Sequence, residues 1–399
     1  MIYMKIEISK MDHSGNGIGY IDNKIVFVPK AIIGDICEIE ITDSKKKYDV
    51  GKIIDRSVKS DDYVLSKCPY YLVCGGCNIS NLSYEKQLLF KKNKVINIFK
   101  RYLDMDIDIK IIPSSREYGY RNKITFRVEN GVIGLVDIDN KIIEIDECLL
   151  VSDRINELYR IIKEEDLSKV KKIVIKECDN GLILSVLGMI SIDRLRDKCV
   201  AIYLNDVCVS QKEDGYIFID DIKYMVSDKS FFQVNGSNVK NLYDVIVKYG
   251  NFFGNEKVID LYCGVGSISL YISKYVGSVL GIELVPKAIM DANRNKEINK
   301  IKNVQFICGD VAKLVDDNIN GDVLIVDPPR VGLDKHTVSV INNSGIEKVI
   351  YVSCDPMTLV RDIKEMDKYS LQDITGVDMF PQTHHVECVS VLHRKSLEK

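Results

Sequence analysis

A chain of 399 residues, 46% hydrophobic and 28% charged, can bury a sizeable core, which excludes disorder and fibrous structure and suits two or three domains. A formal net charge of −3 gives the whole protein no basic signature, so any nucleic-acid contact must come from a local patch. No apolar run reaches the ~18 residues of a membrane span, and Met1 to Lys10 lacks a leader's apolar stretch, so the expected compartment is the cytoplasm. Twelve cysteines are too sparse for a disulfide scaffold, and clustered ones are read as metal or catalytic sites first.

Residues 1–58 predict a small β-barrel of the OB type. Lys5–Ser9, Gly17–Ile21, Lys24–Val28, Asp35–Thr42 and Tyr48–Arg56 alternate or carry β-branched residues, with turn residues between them. Such a barrel often presents a face to RNA; a purely structural β module is the alternative. Residues 59–227 are read as a central α+β domain. It opens with Cys68, Cys74 and Cys77, then a helix over 83–104 capped by Ser83, with an apolar stripe of Leu88, Leu89, Val95, Ile96, Phe99 and Leu103. Lys86, Lys91, Lys92, Lys94, Lys100 and Arg101 fall on the helix's other face. A second helix is predicted over Asp153–Glu164.

From 228 to 399 the pattern becomes α/β. Strands ending at Leu261, Glu283, Ile307, Val326 and Cys354 alternate with helical stretches, the signature of a parallel sheet, and 371–394 predicts an antiparallel hairpin at its edge. Lys257 to Leu270 reads as strand, glycine turn and helix start, with Gly264 and Gly266 in the turn. Ser269 stands where a dinucleotide fingerprint needs a third small residue. Glu283, 19 residues after Gly264, can take two ribose hydroxyls, which both NAD and S-adenosylmethionine present. Asp310 either faces an adenine or caps a helix.

Asp327-Pro-Pro-Arg330 makes a rigid turn after a buried strand, and Arg330 replaces the aromatic residue used by methyltransferases of exocyclic amines. Cys354 is placed at the carboxyl end of a parallel strand with a helix following, a position expected to favour the thiolate. Glu387, in an apolar strand context after two histidines, is read as a general base, the alternative being a solvent-facing strand residue.

These parts together resemble the RNA uridine-C5 methyltransferases, in the branch with an N-terminal TRAM domain that modifies 23S rRNA. The motifs are Phe231-Phe-Gln233-Val-Asn235, Asp260-Leu-Tyr-Cys-Gly-Val-Gly266, Asp327-Pro-Pro-Arg330, Ser353-Cys-Asp-Pro356 and His385-Val-Glu387. The resemblance implies an α/β class I (Rossmann-like) methyltransferase domain behind a TRAM barrel, with S-adenosylmethionine as cofactor. It places donor binding on Gln233, Tyr262, Glu283 and Asp327, the nucleophile on Cys354 and the base on Glu387. A 23S rRNA is the implied partner, with neither a membrane nor a protein partner evident.

The spacing of Cys68, Cys74 and Cys77, with Cys148 far downstream, leaves iron–sulfur, zinc and free thiols open. The resemblance implies a [4Fe–4S] cluster on these four. Residues 83–127 hold eleven Lys or Arg against five Asp or Glu, and Tyr118, Tyr120 and Phe126 interleave with Arg116, Arg121, Lys123 and Arg127. Cations that grip phosphates beside aromatic faces that stack on bases suit RNA, and Tyr120 to Lys123 is the stretch expected to touch it. Rival readings are a tRNA uridine methyltransferase, an exocyclic-amine methyltransferase of nucleic acid, and a non-catalytic RNA-binding or iron–sulfur protein. The barrel and the cysteines are read as marks against the tRNA branch.

Overall fold

The computed structural model describes residues 3–396. The N-terminal barrel has six strand segments rather than five. Its first strand bends, so that Met4–Glu7 pairs with Ile36–Ser44 while Lys10–Met11 pairs with Gly17–Ile21, and the sheet closes on itself. Inward-facing Ile6, Ile8, Val26, Val28, Cys37 and Ile39 fill its core, as the alternation requires. The last strand, Tyr48–Val58, ends the barrel.

A seven-stranded sheet forms the central region. Helix Asp153–Lys163 lies on it through Ile155, Leu158, Tyr159 and Ile162, and the Tyr159 ring stacks on Phe126 at 4.2 Å. Phe126 is therefore core rather than RNA-facing.

The C-terminal sheet runs Val304–Cys308, Ser278–Glu283, Lys257–Leu261, Val323–Val326, Lys348–Ser353, Glu387–Arg394, Tyr369–Val377 and Lys110–Ile112. The first five are parallel, as predicted, and the hairpin Tyr369–Val377/Glu387–Arg394 follows antiparallel. The hairpin is not the edge. Lys110–Ile112 adds outside it, parallel to Tyr369–Val377.

Helix Tyr84–Leu103 belongs to the same layer, because Val95, Ile98 and Phe99 pack into the core beneath this sheet. A linear division at residue 228 does not convey that the segment 84–112 is built into the C-terminal domain. Its buried face also differs from the predicted stripe: Leu89 is exposed, whereas Gln87 and Lys91 are buried. No helix among the described residues is long and apolar enough to cross a membrane.

Candidate active site

The turn after Lys257–Leu261 is built by conformations that side chains resist. Tyr262, Gly264 and Gly266 all have positive φ (64°, 57° and 76°). The turn delivers the Gly264 N–H to Glu283 Oε2 at 3.1 Å, and Glu283 Oε1 accepts from Val285 N at 2.9 Å. Glu283 thus stands at the end of its strand, held by two backbone donors. Tyr262, half-buried in the same turn, lies against the hydrophobic core with its hydroxyl toward Thr337, and burial pushes it up to about 12.

Asp260, fully buried on the adjoining strand, accepts from Ser269 Oγ at 2.5 Å, while its Oδ1 has no partner. Ser269, the departure from the dinucleotide pattern, is what holds this carboxylate. Burial raises Asp260 to about 7, with Glu283 adding to it, and raises Asp327 to about 7, with Asp260 adding to it. Three carboxylates thus share one crevice, with an orphaned oxygen among them. A cationic ligand supplies the missing charge, and S-adenosylmethionine, a sulfonium with an ammonium group, fits where an anionic dinucleotide does not.

Cys354 and Glu387 come together through register. Lys348–Ser353 and Glu387–Arg394 are antiparallel, with Ser353 opposite Cys388, so the next step along each strand sets Cys354 beside Glu387. Glu387 is 4% exposed. Burial and the Asp327 carboxylate push it up to about 8, against the pull of Arg330.

The expected thiolate-favouring environment at Cys354 is not found in the free protein. Burial, then Glu387 and Asp327, push the thiol up to about 11, and Arg330, within hydrogen-bonding reach, only partly offsets them. The helix Pro356–Glu365 does follow, but Asp355 caps it, accepting from Met357 N at 3.0 Å. Desolvation next to two carboxylates outweighs a helix end. Arg330, noted in the sequence only as a missing aromatic, is a cation that bears on Cys354, Glu387 and His385 together.

Asp310 takes the capping role, with Oδ1 accepting from Ala312 N at 3.1 Å. Gln233 lies at the junction with the central region. Its segment is tied to the central region by Asn122, whose Nδ2 donates to Gln233 O at 3.1 Å, and it lines a cavity of about 370 Å³ with Arg116, Arg154 and Phe218. Tyr120 to Lys123 is largely structural. Tyr120 is buried, with its hydroxyl on Pro381 O at 3.0 Å, and Arg121 bridges to Val151 and Asn235.

Cys68, Cys74, Cys77 and Cys148 line one cavity of about 340 Å³ and form no disulfide. Cys77 is shifted upward by burial first and then by Cys148, Cys74 and Cys68, so all four lie within electrostatic reach. Lys30 from the barrel projects here, donating to Tyr71 O and, at 2.6 Å, to Cys74 O. Among the described residues no three His, Cys, Asp or Glu side chains are gathered for a single metal ion. A groove of about 670 Å³ between the barrel and helix Tyr84–Leu103 is lined by His13, Phe27, Lys86, Asn93, Lys94 and Arg101.

A parallel sheet with a glycine turn and carboxylates gathered at its carboxyl edge is the arrangement of a class I, S-adenosylmethionine-dependent methyltransferase. Residues 196–395 match the tRNA (Uracil-5-)-methyltransferase family and residues 3–54 the TRAM domain, and the chain belongs to the RNA uridine-C5 methyltransferase family. It is 31% identical to an RNA methyltransferase of Halalkalibacterium halodurans, over 98% of this chain and 97% of that one. It is 34% identical to one of Clostridium acetobutylicum, over 98% and 96%. The crystal structure of Pyrococcus abyssi tRNA (uracil-54, C5)-methyltransferase with S-adenosyl-L-homocysteine aligns with a TM-score of 0.79 and 28% identity, over 98% of this chain and 100% of that one. The protein is thus an RNA methyltransferase using S-adenosylmethionine. Since a tRNA enzyme is alike over the whole length, barrel included, the barrel is no mark against tRNA.

Proposed function

We propose that the protein methylates C5 of a uridine in 23S rRNA through a covalent Cys354 adduct. The observation that carries this is the antiparallel register that sets the Cys354 thiol beside the buried Glu387 carboxyl, with Arg330 and Asp327 around them. An amine methyltransferase needs neither group.

Uracil C5 is a weak nucleophile. Addition of Cys354 Sγ to C6 leaves C5 enolate-like, and C5 then takes a methyl group. S-adenosylmethionine, when bound, supplies that methyl as an electrophile. Glu283, Tyr262, Asp327 and Gln233 are the residues proposed to hold it, with Glu283 on the ribose and the acidic crevice facing its positive charge. Glu387 then removes the C5 proton, the C5–C6 double bond re-forms and Cys354 leaves as thiolate. The uridine has to be extruded from its stack to reach this buried pair, and the groove between barrel and helix, with Phe27, Tyr102 and Arg101 along it, suits the flanking strand. The cytoplasm is the compartment that goes with such a substrate.

Cys68, Cys74, Cys77 and Cys148 are proposed as ligands of a structural [4Fe–4S] cluster. Four thiols around one cavity support that reading.

A second reading, tRNA as substrate, is favoured by the full-length likeness to the Pyrococcus abyssi enzyme. Mapping 5-methyluridine in rRNA and tRNA from a strain lacking the gene separates the two. RNA carrying 5-fluorouridine tests the chemistry, because fluorine cannot leave as a proton. It should trap the protein in a band that needs both donor and Cys354. A band that survives Cys354→Ala removes the assignment.

A further inference from the structure

On helix Tyr84–Leu103 the residues Tyr84, Gln87, Lys91 and Lys94 recur at spacings of three, four and three, which places them on one stripe. That stripe is polar, yet it does not face water. It lies against the connector 378–386, which joins the two strands of the C-terminal hairpin about 290 residues later. The contacts fall on alternate connector residues. Tyr84 Oη donates to Asp378 Oδ2 at 3.0 Å. Lys91 Nζ donates to Asp378 Oδ1 at 2.6 Å and to Phe380 O at 3.0 Å. Gln87 and Gln382 pair twice, Gln87 Nε2 donating to Gln382 Oε1 at 3.1 Å and Gln382 N to Gln87 Oε1 at 2.8 Å. Lys94 Nζ donates to His384 O at 3.0 Å.

The Lys91 and Asp378 side chains are both 0% exposed. A buried ion pair is no bargain for stability, since well-packed apolar residues of similar volume often do as well. What it does here is geometric. Lys91 holds two points of the connector at once, and Asp378 Oδ1 also receives Phe380 N at 3.1 Å. The connector is not at rest by itself: Gln382 has φ 70°, and its buried Nε2 has no partner. A non-glycine residue in that region persists only where its surroundings over-determine it. Both ends of the connector meet on one rung, Val377 opposite Glu387. Whatever fixes the path of 378–386 therefore fixes where the Glu387 carboxylate stands relative to Cys354.

We propose that this helix seam is the positioning device for Glu387, with Lys91 as its principal positioning residue, and that it governs the elimination step. The proposal rests on the reading of Glu387 as the base. In that step the carboxylate accepts the C5 proton, the C5–H pair becomes the C5–C6 double bond, and the C6–S bond breaks with its electrons leaving on Cys354. A carboxylate displaced by about 1 Å slows such a transfer by about 10²-fold, while addition and methyl transfer, which do not use it, go on.

The test uses the full-length protein, native uridine RNA and a labelled methyl donor. Lys91→Met combined with Asp378→Asn removes both charges together and keeps an acceptor for Phe380 N, while the amide Nδ2 takes over as donor to Tyr84 Oη. This double variant should melt near wild type and bind the donor with unchanged affinity, yet accumulate labelled RNA–protein species that release product about 10²-fold more slowly. Gln87→Met, which unpairs the middle of the connector at Gln382 and does not line the groove, should accumulate the same species to a smaller extent. Wild-type release without accumulation in both variants overturns the proposal; should the double variant not fold, Gln87→Met alone decides in the same way. Glu387→Gln is the control. If it builds up no labelled species with RNA binding intact, the base reading fails, and that outcome is distinct from failure of the seam.

Discussion

At Cys354 burial and charge pull in opposite directions, and burial prevails in the free protein: the thiol is pushed to about 11 and Glu387 to about 8. On the proposed mechanism Glu387 works deprotonated in the elimination, so kcat for product release should rise with pH through about 8, and Glu387→Gln should slow turnover by about 10²–10⁴-fold while the adduct persists. A pH-independent wild-type rate over that range would contradict the assignment.

The same carboxyls carry a stability signature. Asp260 and Asp327 are raised to about 7 and Glu387 to about 8, above the ordinary ~4 of an unfolded chain. Folded-state values above the unfolded ones mean that the native state holds extra protons. Their contribution is complete below pH ~4 and is lost as pH rises through 7 and 8. The unliganded protein should melt lower at pH 8.5 than at pH 5.5. S-adenosylmethionine brings positive charge to these groups, so its upward shift of Tm should be larger at the higher pH. Equal shifts in scanning fluorimetry at both values would show that the crevice does not meet the donor as charge.

At the level of elements, the two turn glycines divide the work differently. A Cβ on Gly266 would meet the Phe306 ring at 2.5 Å, whereas one on Gly264 would meet nothing within 4 Å and point into open space. Either alanine incurs about 1–2 kcal/mol of left-handed backbone. Gly264→Ala should therefore fold and melt close to wild type but lose donor affinity at least ~10-fold, one decade per ~1.4 kcal/mol of lost contact. Gly266→Ala should lose stability and donor binding together. Calorimetry and melting of the two variants check this, and equal loss of Tm would refute the division.

This turn was legible because strand, glycines and ribose carboxylate sit within thirty residues of sequence. The edge of the sheet was not. Lys110–Ile112 is three residues long, too short for any periodicity, and pairs with a strand some 265 positions away. Likewise the helix Tyr84–Leu103 declared its apolar stripe but not the fate of its lysines. Lys91 and Lys92 are the same residue type one position apart, yet only the first is buried, against Asp378. Residue type says that a charge needs a partner; it does not say whether water or a distant carboxylate provides one.

At the scale of the whole molecule, the barrel, the cysteine loop and the catalytic connector meet at one junction. Lys30 carries the barrel onto the cysteine loop at Tyr71 and Cys74. Directly after Cys77, the N–H groups of Asn78 and Ile79 donate to Gln382 O at 3.1 and 3.3 Å, and Asn78 Oδ1 pairs with His384 Nδ1 at 2.9 Å. A short loop so placed has little apolar core of its own, and Leu72 and Val73 are exposed, so the proposed metal centre would have a structural purpose there. Protein prepared without oxygen should be brown and carry iron and sulfide. Replacing Cys68, Cys74, Cys77 or Cys148 by Ser should bleach it and lower Tm. Hydrogen exchange should then speed up first at 78–79 and 382–385, because these share backbone bonds with the cysteine loop, while the barrel core and the parallel strands keep their protection. Iron-free protein with stoichiometric zinc would replace the cluster by a single ion. Unchanged exchange at 382–385 in a bleached variant would mean that the cysteine loop and the catalytic connector are neighbours without being coupled.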